Sequence, residues 1–206
     1  MTDSGFSLAE QRVLVTGASS GIGAAIASRL ANAGATVVVV SRSGGVPESK
    51  GTMYSLVADL SEPEETDTVI ERTVEKLGGL DILVNNAGRG DSRPFVDVDR
   101  EYFNAYVGLN LWAPLRLCQH AYEYLAQSSD PSVVMIGSVD AERPSPGSVV
   151  YGATKGALSA ATVALSKEWM AAGIRVNQVN PGLVDTPLTC LLYTSPSPRD
   201  LSTSRM

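Results

Sequence analysis

Six short apolar runs constrain this chain more than anything else in it. They are RVLVTG (12–17), TVVVV (Thr36–Val40), MYSLVADL (53–60), LDILVNNAG (80–88), SVVMIGS (Ser132–Ser138) and IRVNQVNPG (174–182). Each is short, β-branched and closed by glycine or a polar turn, as buried strands are. Between them lie stretches with helical spacing. GIGAAIASRLANAG sets Ile22, Ile26 and Leu30 on one stripe, with Gly34 where a helix end favours glycine. Ser61 and Glu64 predict a capping box that opens a helix to about Leu77. Helical spacing covers roughly 99–127, and again runs from Tyr151 to Gly173. Strands alternating with helices predict an α/β fold: a doubly wound parallel sheet, helices on both faces, three layers. TVVVV, apolar on both sides, reads as a central strand.

Ligands of such sheets bind beyond the carboxyl ends of the strands, at the point where strand order reverses. Five places therefore matter: Thr16–Gly23, Ser41 and Arg42, Asn85–Gly88, Ser138, and Asn180–Thr186. In TGASSGIG the glycines 17, 21 and 23 permit a tight turn and close backbone approach to a pyrophosphate. The helix after the turn offers free N–H groups. The spacing is G-x-x-x-G-x-G, and no lysine is present for a nucleoside-triphosphate loop.

YGATK places Tyr151 and Lys155 four residues apart on a helix, hence on one face. An ammonium beside a phenol favours the phenolate, which would make Tyr151 a general acid/base. Ser138, at the end of the preceding strand, can bond the same substrate oxygen.

Taken together and in order, these pieces resemble the short-chain dehydrogenase/reductase family over about Gln11–Leu188. The motifs are the Thr16–Gly23 turn, Asp59-Leu60, NNAG at 85–88, Asn110, Ser138, Tyr151 with Lys155, and PGLVDT at 181–186. The resemblance implies a single-domain Rossmann-type fold, with six strands present of an expected seven. It implies NAD(P)-dependent hydride transfer to a carbonyl or from a secondary alcohol. Tyr151 would move the proton, Ser138 would hold the oxygen, and Lys155 would bind the nicotinamide ribose and lower the Tyr151 pKa. Asn110 would anchor a water in a relay from Lys155. Gly17, Ser19, Ser20, Gly21, Ile22 and Gly23 would hold the pyrophosphate. Asn86, Ala87 and Gly88 would line the adenosine ribose, Asp59 and Leu60 the adenine, and Pro181, Gly182, Val184 and Thr186 the nicotinamide. The second strand ends VVVVSRS, with Ser41 and then Arg42 where an acidic residue would select NAD. A guanidinium there suits a 2′-phosphate, so NADP(H) is favoured over NAD(H). Ser20 departs from the basic residue that many NADP(H) members carry in the glycine turn. A non-catalytic dinucleotide-binding regulator on the same fold is the alternative. The helices at 99–127 and after Tyr151 are those that similar proteins pair into dimers or tetramers.

Composition removes other classes. The net charge of −6 argues against a nucleic-acid partner. No apolar run reaches membrane-spanning length, and MTDSGFSLAEQR lacks the pattern of a secretory leader, so a cytoplasmic protein is expected. Cys118 and Cys190 make no disulfide or metal framework, and His120 is the lone histidine, too few for an ordinary zinc site. His120 reads as surface or packing, and Trp112 and Trp169 as core or dimer packing. DAERP (140–144) and the charges Arg89, Asp91 and Arg93 read as solvated loops, with the rim of a substrate site as the alternative.

From Cys190 the pattern stops. CLLYTSPSPRD and the six residues after it, LSTSRM, hold no helical stripe, and Pro196 and Pro198 oppose a strand. Similar proteins would continue with a helical lid, a helix and a seventh strand. Permitted codons for Cys190–Asp200 resemble a transposase adapter used in sequencing libraries, and Ser204–Met206 fit its continuation. The expectation is a dinucleotide-binding domain over 1–189, truncated, and a non-native disordered tail over 190–206, so that an inactive fragment is a further reading. The source nucleotides should then spell the adapter across 190–200 and encode Thr189 as ACC; any other codons there would refute the assignment.

Overall fold

A computed structural model describes residues 7–186 of the chain. Six strands form one parallel sheet in the order β3-β2-β1-β4-β5-β6. They are β1 (Arg12–Thr16), β2 (Thr36–Ser41), β3 (Met53–Val57), β4 (Ile82–Asn85), β5 (Ser132–Ile136) and β6 (Arg175–Val179). Strand order reverses between β1 and β4, so the crevice expected for a ligand lies there. The helices are α1 (Gly21–Asn32), α2 (Pro63–Leu77), α3 (Arg100–Val107), α4 (Ala113–Leu125) and α5 (Val149–Glu168). The 190–206 tail lies outside the described residues.

Alternation along the strands sorts the core into two faces. Leu14, Val38, Leu83 and Val133 pack with Ile70 of α2, Leu117 of α4 and Leu158 of α5. Val13, Val15, Val37, Val39 and Val84 face the other way, onto Ala27 and Ala31 of α1. Val37–Val40 are fully buried, which is why TVVVV is apolar throughout. Burying each such side chain contributes about 1.5–3 kcal/mol.

Four local readings need correction. The stripe that α1 buries is Gly23, Ala27 and Ala31, one residue on from Ile22, Ile26 and Leu30, which flank it half-buried. Small residues win because α1 sits close to the β1 and β4 ends: a Cβ at Gly23 would come within 2.5 Å of Gly17 O. The Ser61–Glu64 capping box does not form. Ser61 instead donates to Asp59 Oδ1 at 2.6 Å, Glu62 takes the N-cap position of α2 without a side-chain bond, and Pro63 opens the helix. The 99–127 stretch is two helices joined by a π-helical turn, Gly108–Trp112, that contains Asn110. And α5 begins at Val149, so Tyr151 already lies inside the helix. Of the two tryptophans, Trp169 is core and Trp112 is half exposed. His120, on α4, faces α2, with Nε2 3.3 Å from Asp67 Oδ1.

The amino ends of the central strands are clasped by one ion pair. Arg12 Nε and Nη2 each donate to Asp81 at 2.8 Å, as does the Arg12 backbone N–H. Asp81 O accepts from Ser132 N at 2.9 Å, so β1, β4 and β5 are tied at one level. Burial alone would raise the Asp81 pKa; the Arg12 side chain, with Ser128 and the Arg12 backbone, outweighs it and brings it to about 2. That lies below the unfolded value, so the stabilisation is present above about pH 4 and is lost as pH falls toward 2. Asp81→Asn should cost on the order of 2 kcal/mol at pH 7 in urea titrations, and the gap should close on acidification; a gap independent of pH would contradict the clasp.

Candidate active site

The carboxyl ends of β1 and β4 are locked together. Thr16 Oγ1 accepts from Asn86 N and Ala87 N, both at 3.0 Å. Asn86 Nδ2 returns two bonds, to Thr16 O at 2.9 Å and Gly17 O at 3.0 Å. Gly17 adopts φ +63 here, and a Cβ on it would lie 2.7 Å from Ala87 Cα, so glycine alone fits. The chain then enters α1 through Ser20, whose side chain caps nothing, with no acidic residue in the first turn. The leading N–H groups and the positive end of the helix dipole are thus left for an anion.

A cavity of about 720 Å³ opens above this lock. Gly17, Ser20, Gly21, Ile22 and Gly23 form one side and Asn86, Ala87 and Gly88 the floor. Ser138, Tyr151, Lys155, Pro181, Gly182, Val184 and Thr186 line it as well. Glycine backbone, an uncapped helix end and a buried ammonium around one cleft fit the phosphates and ribose of a dinucleotide. Ser19, Ser41, Arg42, Asp59, Leu60 and Asn110 do not line this cavity. Ser41 and Arg42 cluster with Asp59 and Leu60 at the ends of β2 and β3: Ser41 is buried, its Oγ accepting from Gly44 N at 3.1 Å, and Arg42 is exposed. Asp59 is held below its usual pKa by the Ser61 hydroxyl first, with Arg42 adding to it. Leu60 is core.

Lys155 is buried, and its Nζ donates to Ile136 O at 2.8 Å. Burial lowers its pKa to about 8. Tyr151 shares the face as expected, with Lys155 Nζ 5.9 Å from its ring centroid. The expected lowering of the Tyr151 pKa is not what this geometry gives. Burial pushes the phenol up, Ser138 pulls it down, and Asp140 pushes it up again. The Ser138 hydroxyl accepts from Asp140 N at 3.1 Å and lies beyond β5 rather than in it, at the head of a 3-10 turn, Val139–Ala141. Gly152 lets that turn pack on α5, since a Cβ there would meet Asp140 O at 3.0 Å. Asn110 is buried in the π turn and spends its amide on Arg89: Oδ1 accepts from Arg89 N and Nδ2 donates to Arg89 O, both at 2.9 Å.

The cavity also recruits residues read as solvated loop. Arg89, Asp91 and Asp140 line it, together with the neighbouring Gly90 and Ser92, while Arg93 stacks on Tyr102. Their signal is position: each lies shortly after a strand end at the crevice. Thr16 belongs to the glycine motif, but only the fold reveals its bonds to Asn86 and Ala87. Cys118 is buried with its thiol pushed up to about 12, which removes it as a nucleophile. Among the described residues no cluster suits a metal ion, and no helix is long and apolar enough to cross a membrane.

Because the Lys155 pKa in the fold lies below the free value of about 10.4, the charged form is penalised below about pH 8 and the penalty disappears above 10. Relative to Lys155→Met, the parent should gain about 3 kcal/mol of unfolding free energy between pH 8 and 10.5. Denaturant titrations across that window would read it; parallel curves for the two proteins would place the ammonium in water.

The short chain dehydrogenase family model matches residues 11–194. An uncharacterized oxidoreductase of Staphylococcus epidermidis is 35% identical over 185 residues, spanning 87% of this chain and 80% of that protein. The crystal structure of a 3-ketoacyl-(acyl-carrier-protein) reductase from Brucella melitensis complexed with NADH superposes with a TM-score of 0.82 at 33% identity. It covers 90% of this chain and 80% of its own. An NAD(P)-dependent protein of Beutenbergia cavernae, solved with NADP at low occupancy, gives 0.82 at 32% identity, over 90% and 77% of the two chains.

Proposed function

This chain belongs to the short-chain dehydrogenase/reductase family, and we propose that it transfers hydride between NADP(H) and a carbonyl or secondary alcohol, with Tyr151 as general acid/base. The observation that carries the reading is the meeting of Ser138 and Tyr151 on one wall of the cavity, with Lys155 buried behind them. The nicotinamide supplies or accepts the hydride when bound; the chain's task is the proton and the orientation.

In the reducing direction Tyr151 donates its phenolic proton to the carbonyl oxygen. Burial suits that role, since it keeps the phenol protonated. Ser138 holds the same oxygen. Its Oγ already accepts from Asp140 N, which leaves its one proton for the phenol or for the substrate oxygen. Lys155 gives one hydrogen to Ile136 O and keeps the others for ribose hydroxyls. Its charge, once brought near the phenol by bound ligand, would ease formation of the phenolate. Asn110 and Lys155 both border Gly88: a Cβ there would lie 3.2 Å from Asn110 Oδ1 and 3.7 Å from Lys155 Nζ. With the Asn110 amide occupied by Arg89, a relay water would sit on the main chain of the π turn. The pyrophosphate goes to the uncapped α1 end, beside Gly17, Ser19, Ser20, Gly21, Ile22 and Gly23. Asp59 and Leu60 border the adenine. NADP(H) is favoured over NAD(H) by Arg42, an exposed guanidinium at the end of β2 with no acidic residue at Ser41.

Ketone-dependent NADPH oxidation tests the reading. Tyr151→Phe should lower kcat about 10²–10⁴-fold while NADPH still binds. Arg42→Ala should weaken NADPH about tenfold or more and leave NADH little changed. Turnover that persists in Tyr151→Phe would overturn the acid/base assignment.

A further inference from the structure

The wall of the cavity that faces Tyr151 is built by residues 89–92, and with Arg93 at its end the segment is pinned along its whole length. At its start the Asn110 amide closes on both main-chain groups of Arg89. At its centre the Tyr106 hydroxyl accepts from Asp91 N at 2.7 Å, and the Tyr102 hydroxyl donates to the Asp91 carboxylate. The guanidinium of Arg89 lies 4.9 Å over the Tyr106 ring, and that of Arg93 lies 4.0 Å over the Tyr102 ring. At its far end Arg93 N donates to Gly147 O at 3.0 Å. Gly147 has φ +85, and a Cβ on it would overlap Ser92 Oγ, so the two loops close tightly on each other.

Gly90 sits in the middle of this fixed segment. A Cβ built on it would lie 3.5 Å from Tyr151 Cε2, ordinary van der Waals contact, and its φ is outside the left-handed region. Neither backbone nor packing therefore demands glycine at this position. What glycine does there is leave the edge of the Tyr151 ring open to the cavity.

We propose that Arg89–Arg93 is a fixed specificity wall in which Asp91, clamped between Tyr102 and Tyr106, positions Gly90 against Tyr151, so that side-chain volume at position 90 sets how bulky a carbonyl substrate reaches the phenol. Glycine admits ketones with a branched or cyclic group beside the carbonyl. The proposal rests on Tyr151 acting on substrate. Asp91 is a positioning residue in it and touches no reacting atom.

Gly90→Ala and Gly90→Val are compared with the parent on ketones graded from compact to cyclic. The ratio of kcat/KM for compact over bulky ketones should rise about tenfold or more in the valine variant, carried by KM, with alanine between. NADPH affinity and melting temperature report whether each variant is folded, and alanine decides if valine is not. Hydrogen exchange gives a second readout that needs no turnover. Tyr106→Phe should speed exchange of the Asp91 amide. Asp91→Ala should loosen Arg89–Arg93 and flatten the size selectivity, and Asp91→Asn, which keeps an acceptor for Tyr102, should restore both. A selectivity ratio unmoved in both Gly90 variants would overturn the role of position 90. Exchange unchanged in Tyr106→Phe and Asp91→Ala would overturn the clamp. If the parent turns over no ketone the functional reading fails, and the exchange result still decides whether the wall is fixed.

Discussion

The reciprocal bonding of Thr16 and Asn86 is the interaction on which the rest depends. Four hydrogen bonds join the carboxyl ends of β1 and β4, the one neighbouring pair whose connections leave in opposite directions. Without them two strand ends would splay at the reversal point. With them, Gly17 and Ala87 come into contact and form a floor of backbone rather than side chains. A floor of that kind can approach a phosphate closely, and it fixes the distance from the α1 end to Lys155. Side chains arriving from β5, the π turn and α5 then need only be correct relative to that floor.

The π turn shows how a helix is bent to that purpose. One widened turn interrupts the helical stretch and buries Asn110 against Arg89 and Thr154, beside the crevice floor at Gly88 rather than in the crevice. Its cost in regular hydrogen bonding is offset locally, because the amide satisfies the backbone of the loop it faces. A burial-raised phenol, a burial-lowered lysine and a serine already holding one N–H then share one wall. The phenol and the lysine are displaced from their free behaviour by the same cause, removal from water.

Much of this is legible in the amino-acid sequence because it rests on local rules. Strand patterning implies the parallel sheet, and Tyr151 and Lys155 share a face because four residues make just over one helical turn. The parts that escape depend on nonlocal geometry. On α1, hydrophobicity points to Ile22, Ile26 and Leu30, while proximity to the sheet demands Gly23, Ala27 and Ala31. The Ser61–Glu64 pattern meets the requirements of a capping box, yet Ser61 finds Asp59 nearer. The direction of the Tyr151 shift is hidden because a sequence shows the neighbouring cation but not the burial of the phenol. Arg89, Asp91 and Asp140 look solvated when charge is weighed and position at the crevice is not, while Glu142, Arg143 and Pro144 are exposed as their character suggests.

Strand β1 is gripped at both ends, by Asp81 on Arg12 and by Asn86 on Thr16. Four rises of extended chain separate the two grips, about 13 Å. It acts as a rigid spacer whose two ends answer to different demands. The Arg12 end sees only the acidity of the medium and the cohesion of the fold, and the Thr16 end sees only the ligand crevice. Sequence drift at the first can alter thermal tolerance without touching chemistry, and drift at the second can retune chemistry on an undisturbed frame.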